Sequence, residues 1–414
     1  RSTPLYSSAA SDVYKRQVLG YGVVGSGLID IIDNNKEKRN IEIVGILVNN
    51  LEKHKDKKYS NIITNNIDDI FNKDIDILVE VMGGLEPSLS YIKKALNNKI
   101  HVVTANKDLL AECGDELAKL ASENKVSIKF EASVAGGIPV LKPIIESLEG
   151  NNIDSINAIL NGTTNFILSK MYDENLSYDM ALRQAQELGF AEANPESDVL
   201  GYDAARKLSI LSTLAYDNRV YWKDVYLEGI TDIDEKDIEY AKKLNCKIKL
   251  IGQSKYENDK VSAFVRPVLV EKDNILARID NEFNAVIVNG DSVGEVSFVG
   301  KGAGSLATGS AVYSDVIDII DNRVSSIDSF TKDKIQVNKI VREKCGALLR
   351  FKKCNKDEIL NIVENCLVKF DILNDDDELA IMVYADSEYE INNSLCLIKD
   401  KGYCEKMNKM LKIS

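Results

Sequence analysis

Residues Ala181–Leu208, reading ALRQAQELGFAEANPESDVLGYDAARKL, gather Glu187, Glu192, Glu196, Asp198, Asp203, Arg206 and Lys207 around two glycines and a proline. A carboxylate beside an ammonium at the mouth of a loop suits a zwitterionic substrate and the delivery of a proton. Asp203 and Lys207 supply that pair. Their i,i+4 spacing on a helix puts them on one face, roughly 6 Å apart at Cβ. The competing reading is a surface ion pair, stabilising by under about 1 kcal/mol. The elements that must hold the pair are legible nearby. Ala181–Leu188 has helical periodicity that Gly189 stops, residues 190–201 form a carboxylate-rich loop without a sustained period, and a helix restarts at Asp203.

Other stretches carry chemistry of their own. Gly20-Tyr21-Gly22-Val23-Val24-Gly25 fits G-x-G-x-x-G, whose glycines permit a tight turn, close approach to a pyrophosphate and close helix–strand packing. The context is the required one. A helix follows to Asn34, Ile41–Val48 is a buried-strand run, and strand Asp76–Glu80, helix Pro87–Asn97 and strand His101–Thr104 repeat the alternation. Where the second strand ends, a ribose is normally read by Asp or Glu for NAD or by a nearby Arg for NADP. Here stand Asn49 and Asn50, then Lys53, His54, Lys55, Lys57 and Lys58. The lysines suit a 2′-phosphate or form a solvated charge run, so both cofactors stay open.

Lys107 closes Thr104-Ala-Asn-Lys107 at the carboxyl end of a strand, either a ligand contact or an ordinary helix start. The strand Lys125–Phe130 leads into Glu131-Ala-Ser-Val134-Ala-Gly136-Gly-Ile138-Pro139. Its small residues let carbonyls turn inward and Glu131 adds a carboxylate oxygen, a set suited to a hard cation or to a tight structural turn. Ile153–Leu160 reads as a strand broken by Asn161-Gly-Thr-Thr-Asn165, with a helix over Phe166–Tyr172, and strands are expected near Val261–Leu269 and Asn284–Asn289. Gly300-Lys-Gly302-Ala-Gly304 is a second glycine-rich loop ahead of a helix over Ser305–Ile320, again suited to an anion or cofactor.

The totals restrict the choices. A chain of 414 residues supports two or three domains. A formal charge of −13 argues against nucleic acid or anionic membrane as partners, and no apolar run reaches the ~18 residues of a membrane helix. The two histidines, His54 and His101, lack a metal-ligand pattern. Seven cysteines without paired spacing read as reduced thiols, and with no signal peptide evident the expectation is a cytoplasmic protein. Residues 1–16, RSTPLYSSAASDVYKR, do not fit the strand that should lead into Gly20. They resemble spurious translated ends of assembled sequences and are read as foreign to the fold.

The motifs Gly20–Gly25, Val103-Thr-Ala-Asn-Lys107, Asn161-Gly-Thr-Thr-Asn165 with Phe166-Ile-Leu168, Leu188-Gly-Phe-Ala-Glu192, Asp198-Val-Leu-Gly-Tyr-Asp203-Ala-Ala-Arg-Lys207 and Gly302-Ala-Gly304 occur in the order and spacing of homoserine dehydrogenases. The resemblance covers roughly residues 17–322. It implies an NAD(P)-dependent interconversion of L-homoserine and L-aspartate 4-semialdehyde, a step of threonine, methionine and isoleucine biosynthesis. It implies that Lys207 is the proton donor and that Asp203, Glu192 and Asp198 serve the amino-acid substrate. Lys107 would stand near nicotinamide and substrate, with Gly189 and Gly302 contacting cofactor. Glu131, Val134, Gly136 and Ile138 would hold Na⁺ or K⁺. Asn49 departs from the arginine often found there in NADP-using members. The rivals are another semialdehyde dehydrogenase on this scaffold and a non-catalytic amino-acid sensor.

Beyond Asn322 a polar connector precedes a third unit. Strand Gly346–Lys353, helix Asp357–Cys366, strand Val368–Asn374, strand Leu379–Ala385, helix Tyr389–Lys399 and strand Glu405–Ile413 give a ferredoxin-like βαββαβ order, similar to the ACT domain of many homoserine dehydrogenases. Asn355-Lys-Asp357 occupies the turn where such modules carry glycine, so a weak or absent threonine response is expected. The overall expectation is an α/β protein with a Rossmann-type nucleotide-binding domain at 1–133 completed by 303–322, an α+β substrate and dimerisation domain at 134–302, and a separable ACT-like domain at 335–414. The expected assembly is a homodimer or homotetramer.

Overall fold

The computed structural model describes residues 14–323, 327–367 and 369–413. The chain forms two compact units. One takes the described residues up to Glu149 with Thr213–Arg219 and Lys301–Asp333; the other takes Gly150–Ser212, Val220–Gly300 and the described residues from Lys334 onward.

In the first unit β1 (Tyr14–Leu19) turns through the glycines into α1 (Val23–Asn34). There follow β2 (Ile41–Leu47), β3 (Ile63–Thr64), α2 (Ile67–Phe71), β4 (Ile77–Glu80), α3 (Ser88–Asn97), β5 (His101–Thr104), α4 (Lys107–Asn124) and β6 (Ile128–Lys129). The sheet is parallel with order β3-β2-β1-β4-β5-β6, the doubly wound arrangement expected of a dinucleotide-binding fold. Its strands are buried on both faces. Val18 joins one apolar cluster with Leu28 and Val316, while its neighbour Leu19 joins the other with Leu78 and Leu117, the two-residue period of a strand covered on both sides. Tyr14–Arg16, expected to be foreign to the fold, belong to β1; residues 1–13 lie outside the described residues. Pairing with β2 and β4 runs through the backbone and tolerates Arg16, which is 1% exposed with Asp76 3.8 Å from its guanidinium.

The second unit opens with β7 (Ile153–Ile159), α5 (Gly162–Glu174), α6 (Tyr178–Glu187), α7 (Glu196–Val199) and α8 (Tyr202–Ala215). Next come β8 (Tyr226–Leu227), α9 (Glu235–Lys243), β9 (Cys246–Glu257), β10 (Lys260–Glu271), β11 (Phe283–Gly290) and β12 (Gly294–Lys301). The chain then returns to the first unit as α10 (Ser305–Ile320), which packs on α1 where the Gly309 and Gly27 backbones come together: a Cβ on Gly309 would stand 2.7 Å from the Gly27 carbonyl carbon. Finally β13 (Val337–Asn338), β14 (Cys345–Cys354), α11 (Lys356–Cys366), β15 (Lys369–Asn374), β16 (Glu378–Ala385), α12 (Glu388–Asp400) and β17 (Cys404–Ile413) complete the second unit.

The last six elements have sheet order β17-β14-β16-β15, the ferredoxin-like arrangement. Within the second unit they join the preceding strands. β17 pairs in parallel with β10 through Val268–Leu411, Leu269–Lys412 and Val270–Ile413, extending one sheet across the whole unit. A single apolar core runs from Ile159, Ile251 and Phe264 to Leu349, Phe351 and Ile381. Two buried ionic knots reinforce the join. Arg350, 1% exposed, donates to Asp234, Asp237 and Glu378, and Arg266 forks onto Glu388 at 2.7 and 3.0 Å.

Candidate active site

In the first unit each fingerprint glycine has a separate reason. Gly20 has φ +107°, a Cβ on Gly25 would stand 2.2 Å from the Gly20 carbonyl oxygen, and a Cβ on Gly22 would meet nothing within 4 Å and project into open space. Gly22 precedes α1 without a side-chain cap, so the first N–H groups of a twelve-residue helix are left for an anion. A cleft of about 640 Å³ opens there, lined by Gly20–Val23, Leu47–Asn50, Lys53, His54, Lys57, Val81 and Met82. The residues fit a dinucleotide: a glycine cradle at one end, a basic rim at the other, and no carboxylate in the lining. The rim is ordered. His54 stacks on Tyr21 with ring centroids 5.5 Å apart, and the Lys57 ammonium lies 4.3 Å from the Tyr21 ring centroid. Burial, then Lys57 and Lys53, hold His54 below its usual pKa. The cleft floor is fixed by buried Glu80, which accepts from the Met82 and Gly83 N–H groups and from Ser88 and Thr104. Lys107 is the first residue of α4, behind the Asn106 cap.

In the second unit Asp203 is buried and Lys207 partly so, not a surface pair: their side chains are 7% and 13% exposed, joined at 2.7 Å. The Lys207 ammonium also donates to the Leu160 carbonyl at 2.9 Å. Asn161, absent from the residues expected at the site, ties the cluster together by donating to Asp198 at 2.7 Å and Asp203 at 2.9 Å. Asn161 also caps α5, taking the Thr164 N–H at 2.9 Å, so the helix starts at Gly162, four residues before its expected start. The clue was present: an Asn directly after a strand, five residues ahead of a helix-forming run. Asn165 instead serves the backbone, donating to the Ile279, Asn281 and Phe283 carbonyls.

The loop behind the cluster is held by Thr163, which donates to the Phe190 carbonyl at 2.6 Å, and by the Phe166–Phe190 ring contact at 4.9 Å. Gly189, with φ +77°, ends α6 in a paired cap: its N–H reaches the Gln186 carbonyl and the Phe190 N–H the Ala185 carbonyl. Glu192 is exposed, and among the described residues no hydrogen bond joins its carboxylate to Asp203 or Lys207. Asp198, Asp203 and Lys207 are thus brought together; Glu192 is not.

The Glu131 loop differs from expectation in one respect. The carboxylate faces backbone N–H groups, accepting from Val140 at 2.6 Å, Leu141 at 3.0 Å and Lys142 at 2.8 Å. It is therefore committed to the start of the next helix. Burial still raises its pKa. Val134, Gly136 and Ile138 stay available: they are buried, and among the described residues no donor is bonded to their carbonyls. A Cβ on Gly136 would stand 2.3 Å from the Gly302 carbonyl oxygen, so the two glycine-rich loops touch backbone to backbone, with the Gly137 N–H on the Lys301 carbonyl at 3.2 Å.

A doubly wound sheet with a dinucleotide cradle, and a second unit presenting a largely buried lysine–aspartate pair, define an NAD(P)-dependent oxidoreductase. Residues 20–131 match the family model for the homoserine dehydrogenase NAD-binding domain, and residues 139–317 that for homoserine dehydrogenase. The Bacillus subtilis homoserine dehydrogenase is 44% identical over 74% of this chain and 72% of its own length. The crystal structure of a Thiobacillus denitrificans homoserine dehydrogenase matches at a TM-score of 0.90 and 32% identity, covering 97% and 98% of the two chains. A hyperthermophilic archaeal homoserine dehydrogenase in complex with NADPH matches at 0.65 and 28%, covering 76% and 99%. The chain belongs to the homoserine dehydrogenase family, acting on a CH–OH group and interconverting L-homoserine and L-aspartate 4-semialdehyde.

Proposed function

We propose that Lys207 is the group that gives and takes the proton at the substrate oxygen, with Asp203 fixing its charge and aim. The bound nicotinamide supplies or accepts the hydride. Reduction of the aldehyde develops negative charge on oxygen, and an ammonium aimed at that oxygen stabilises it and delivers a proton. The observation that carries this reading is the saturation of Lys207: two of its three donors are spent on Asp203 and Leu160, which fixes the direction of the third. Asp198 and Asp203, bridged by Asn161, supply carboxylate oxygens for the substrate ammonium. Glu192, exposed on its loop, is read as a further carboxylate for the substrate, and Lys107, Gly189 and Gly302 as contacts for cofactor and substrate. Replacing Lys207 by Ala is expected to lower kcat by about 10²-fold or more with cofactor binding unchanged. Wild-type turnover in that variant would end the assignment.

The cofactor reading that the rim favours is NADP. Lys53 and Lys57 offer charge to a 2′-phosphate, and no acid in the cleft lining would reject it. A homologue solved in complex with NADPH supports the same choice. The free carbonyls of Val134, Gly136 and Ile138 favour a monovalent cation held by main-chain oxygens, with Glu131 shaping the loop through its carboxylate. The C-terminal strands and helices read as an ACT-like module whose Asn355 is spent as the cap of α11, accepting the Glu358 N–H.

A further inference from the structure

The last residue of β14 and the first of β17 are both cysteines, Cys354 and Cys404, and they are direct partners in the antiparallel register. The Asn355 N–H donates to the Tyr403 carbonyl at 2.8 Å. A bond from the residue after one partner to the residue before the other marks a non-hydrogen-bonded pair. At such positions Cα atoms stand only about 4.5 Å apart and both side chains leave the sheet on the same side. A disulfide forms across Cα separations of about 4.4–6.8 Å, a range that includes the spacing of such pairs. Both thiols are free and half-buried, packed against the same apolar core. Burial raises the Cys404 pKa, and the nearby Cys354 raises it further. The neighbouring residues, Lys353 and Glu405, clamp the same two strands through an exposed ion pair at 2.9 Å.

We infer that Cys354 and Cys404 form a dithiol site that closes to an intrachain disulfide on meeting a low-molecular-weight disulfide. One thiolate attacks the small disulfide and expels a first small thiol, leaving a mixed disulfide on the protein. The second thiolate attacks the protein sulfur of that adduct and expels the other small thiol. Two electrons pass from the cysteine sulfurs to the small disulfide, and the two protons leave with the two small thiols. The new bond encloses α11, β15, β16 and α12, so it constrains the unfolded chain between the two cysteines. The remaining cysteines, Cys113, Cys246, Cys345, Cys366 and Cys396, include no second pair of strand partners among the described residues.

The full-length protein, reduced and then incubated with oxidised glutathione, provides the test. The proposal expects two fewer alkylatable thiols than the seven in the sequence, and a Cys354–Cys404 linked peptide that dithiothreitol releases. A thermal midpoint raised by roughly 5 °C should accompany it. Cys404→Ser should abolish the link and leave Cys354 as a glutathione adduct; Cys354→Ala gives the reciprocal result if the first variant folds poorly. Cys396→Ser, at an exposed position, should leave the link intact. Seven free thiols after exposure, stable adducts on both cysteines, or linkage through Cys366 would overturn the inference.

Discussion

Replacing Arg350 by Met tests whether the C-terminal strands are welded to the unit that carries Lys207. Arg350 is 1% exposed and donates to Asp237 at 2.5 Å, to Asp234 at 2.7 and 3.2 Å, and to Glu378 at 3.1 and 3.2 Å. The Asp237 and Glu378 side chains are each 3% exposed, so removing the guanidinium strands two carboxylates out of water. Breaking a buried pair from one side costs about 3–5 kcal/mol. A unit of this size loses roughly 2–3 kcal/mol of stability per molar urea, so the midpoint should fall by about 1–2 M. Trp222 is the single tryptophan and lies in the second unit, so its fluorescence reports that unit. The pH dependence follows from the signs. Burial would raise the Asp234 pKa, but Arg350 outweighs it and holds the group at about 2. That contribution is present above the ordinary carboxylate pKa and fades as pH falls through about 2. In the variant Asp237, whose pKa burial already raises, loses the guanidinium that opposes the rise. The deficit should therefore be largest at pH 7 and shrink toward pH 5 as Asp237 takes up a proton. A midpoint within about 0.3 M of wild type at pH 7 would show that the knot contributes nothing net.

A chain ending at Asp333 should fail to fold its second unit, because β10 loses β17 as a neighbour and the shared core loses Leu349, Phe351 and Ile381; a stable, active truncated enzyme would restore the separable module suggested by the sequence. Replacing Lys57 by Ala should raise KM for NADP by roughly tenfold, about the 1.4 kcal/mol that a single charge contact supplies, while leaving KM for NAD nearly unchanged. Equal effects on both cofactors would remove Lys57 from the phosphate site. Exchange of Na⁺ and K⁺ for a bulky organic cation should lower activity and thermal stability, and indifference to both ions would dismiss the carbonyl site.

The parts of the fold that local pattern dictates were readable from residues alone. The glycine turn, the β–α alternation and the doubly wound sheet each rest on periods of two or 3.6 and on a few φ angles that glycine permits, as at Gly20 and Gly189. The ferredoxin-like order of β14 to β17 was readable for the same reason, strand and helix signals alternating every few residues. What was not readable is adjacency over distance. Nothing in Val268–Val270 marks it as the neighbour of Leu411–Ile413, since any buried strand edge with matching faces would serve. β1 shows the converse: Tyr14–Arg16 lack an apolar pattern yet form strand, because two flanking strands supply the hydrogen bonds.

The site divides along the same line. Asp203 and Lys207 could be paired from sequence because one helical turn separates them, whereas Asn161 acts on Asp198 and Asp203 from 37 and 42 residues away. Asp234 and Asp237 show why such side chains mislead. Locally they form a capping box at the start of α9, Asp234 taking the Asp237 N–H at 3.1 Å and Asp237 the Asp234 N–H at 3.0 Å. That role accounts for both residues and leaves no hint of another. Yet each carboxylate has lone pairs to spare, and Arg350, more than a hundred residues later, takes them. A helix cap therefore doubles as the anchor for a distant strand. The two roles are separable: the cap needs an acceptor and Asn would serve, whereas the anchor needs the charge that only Asp keeps.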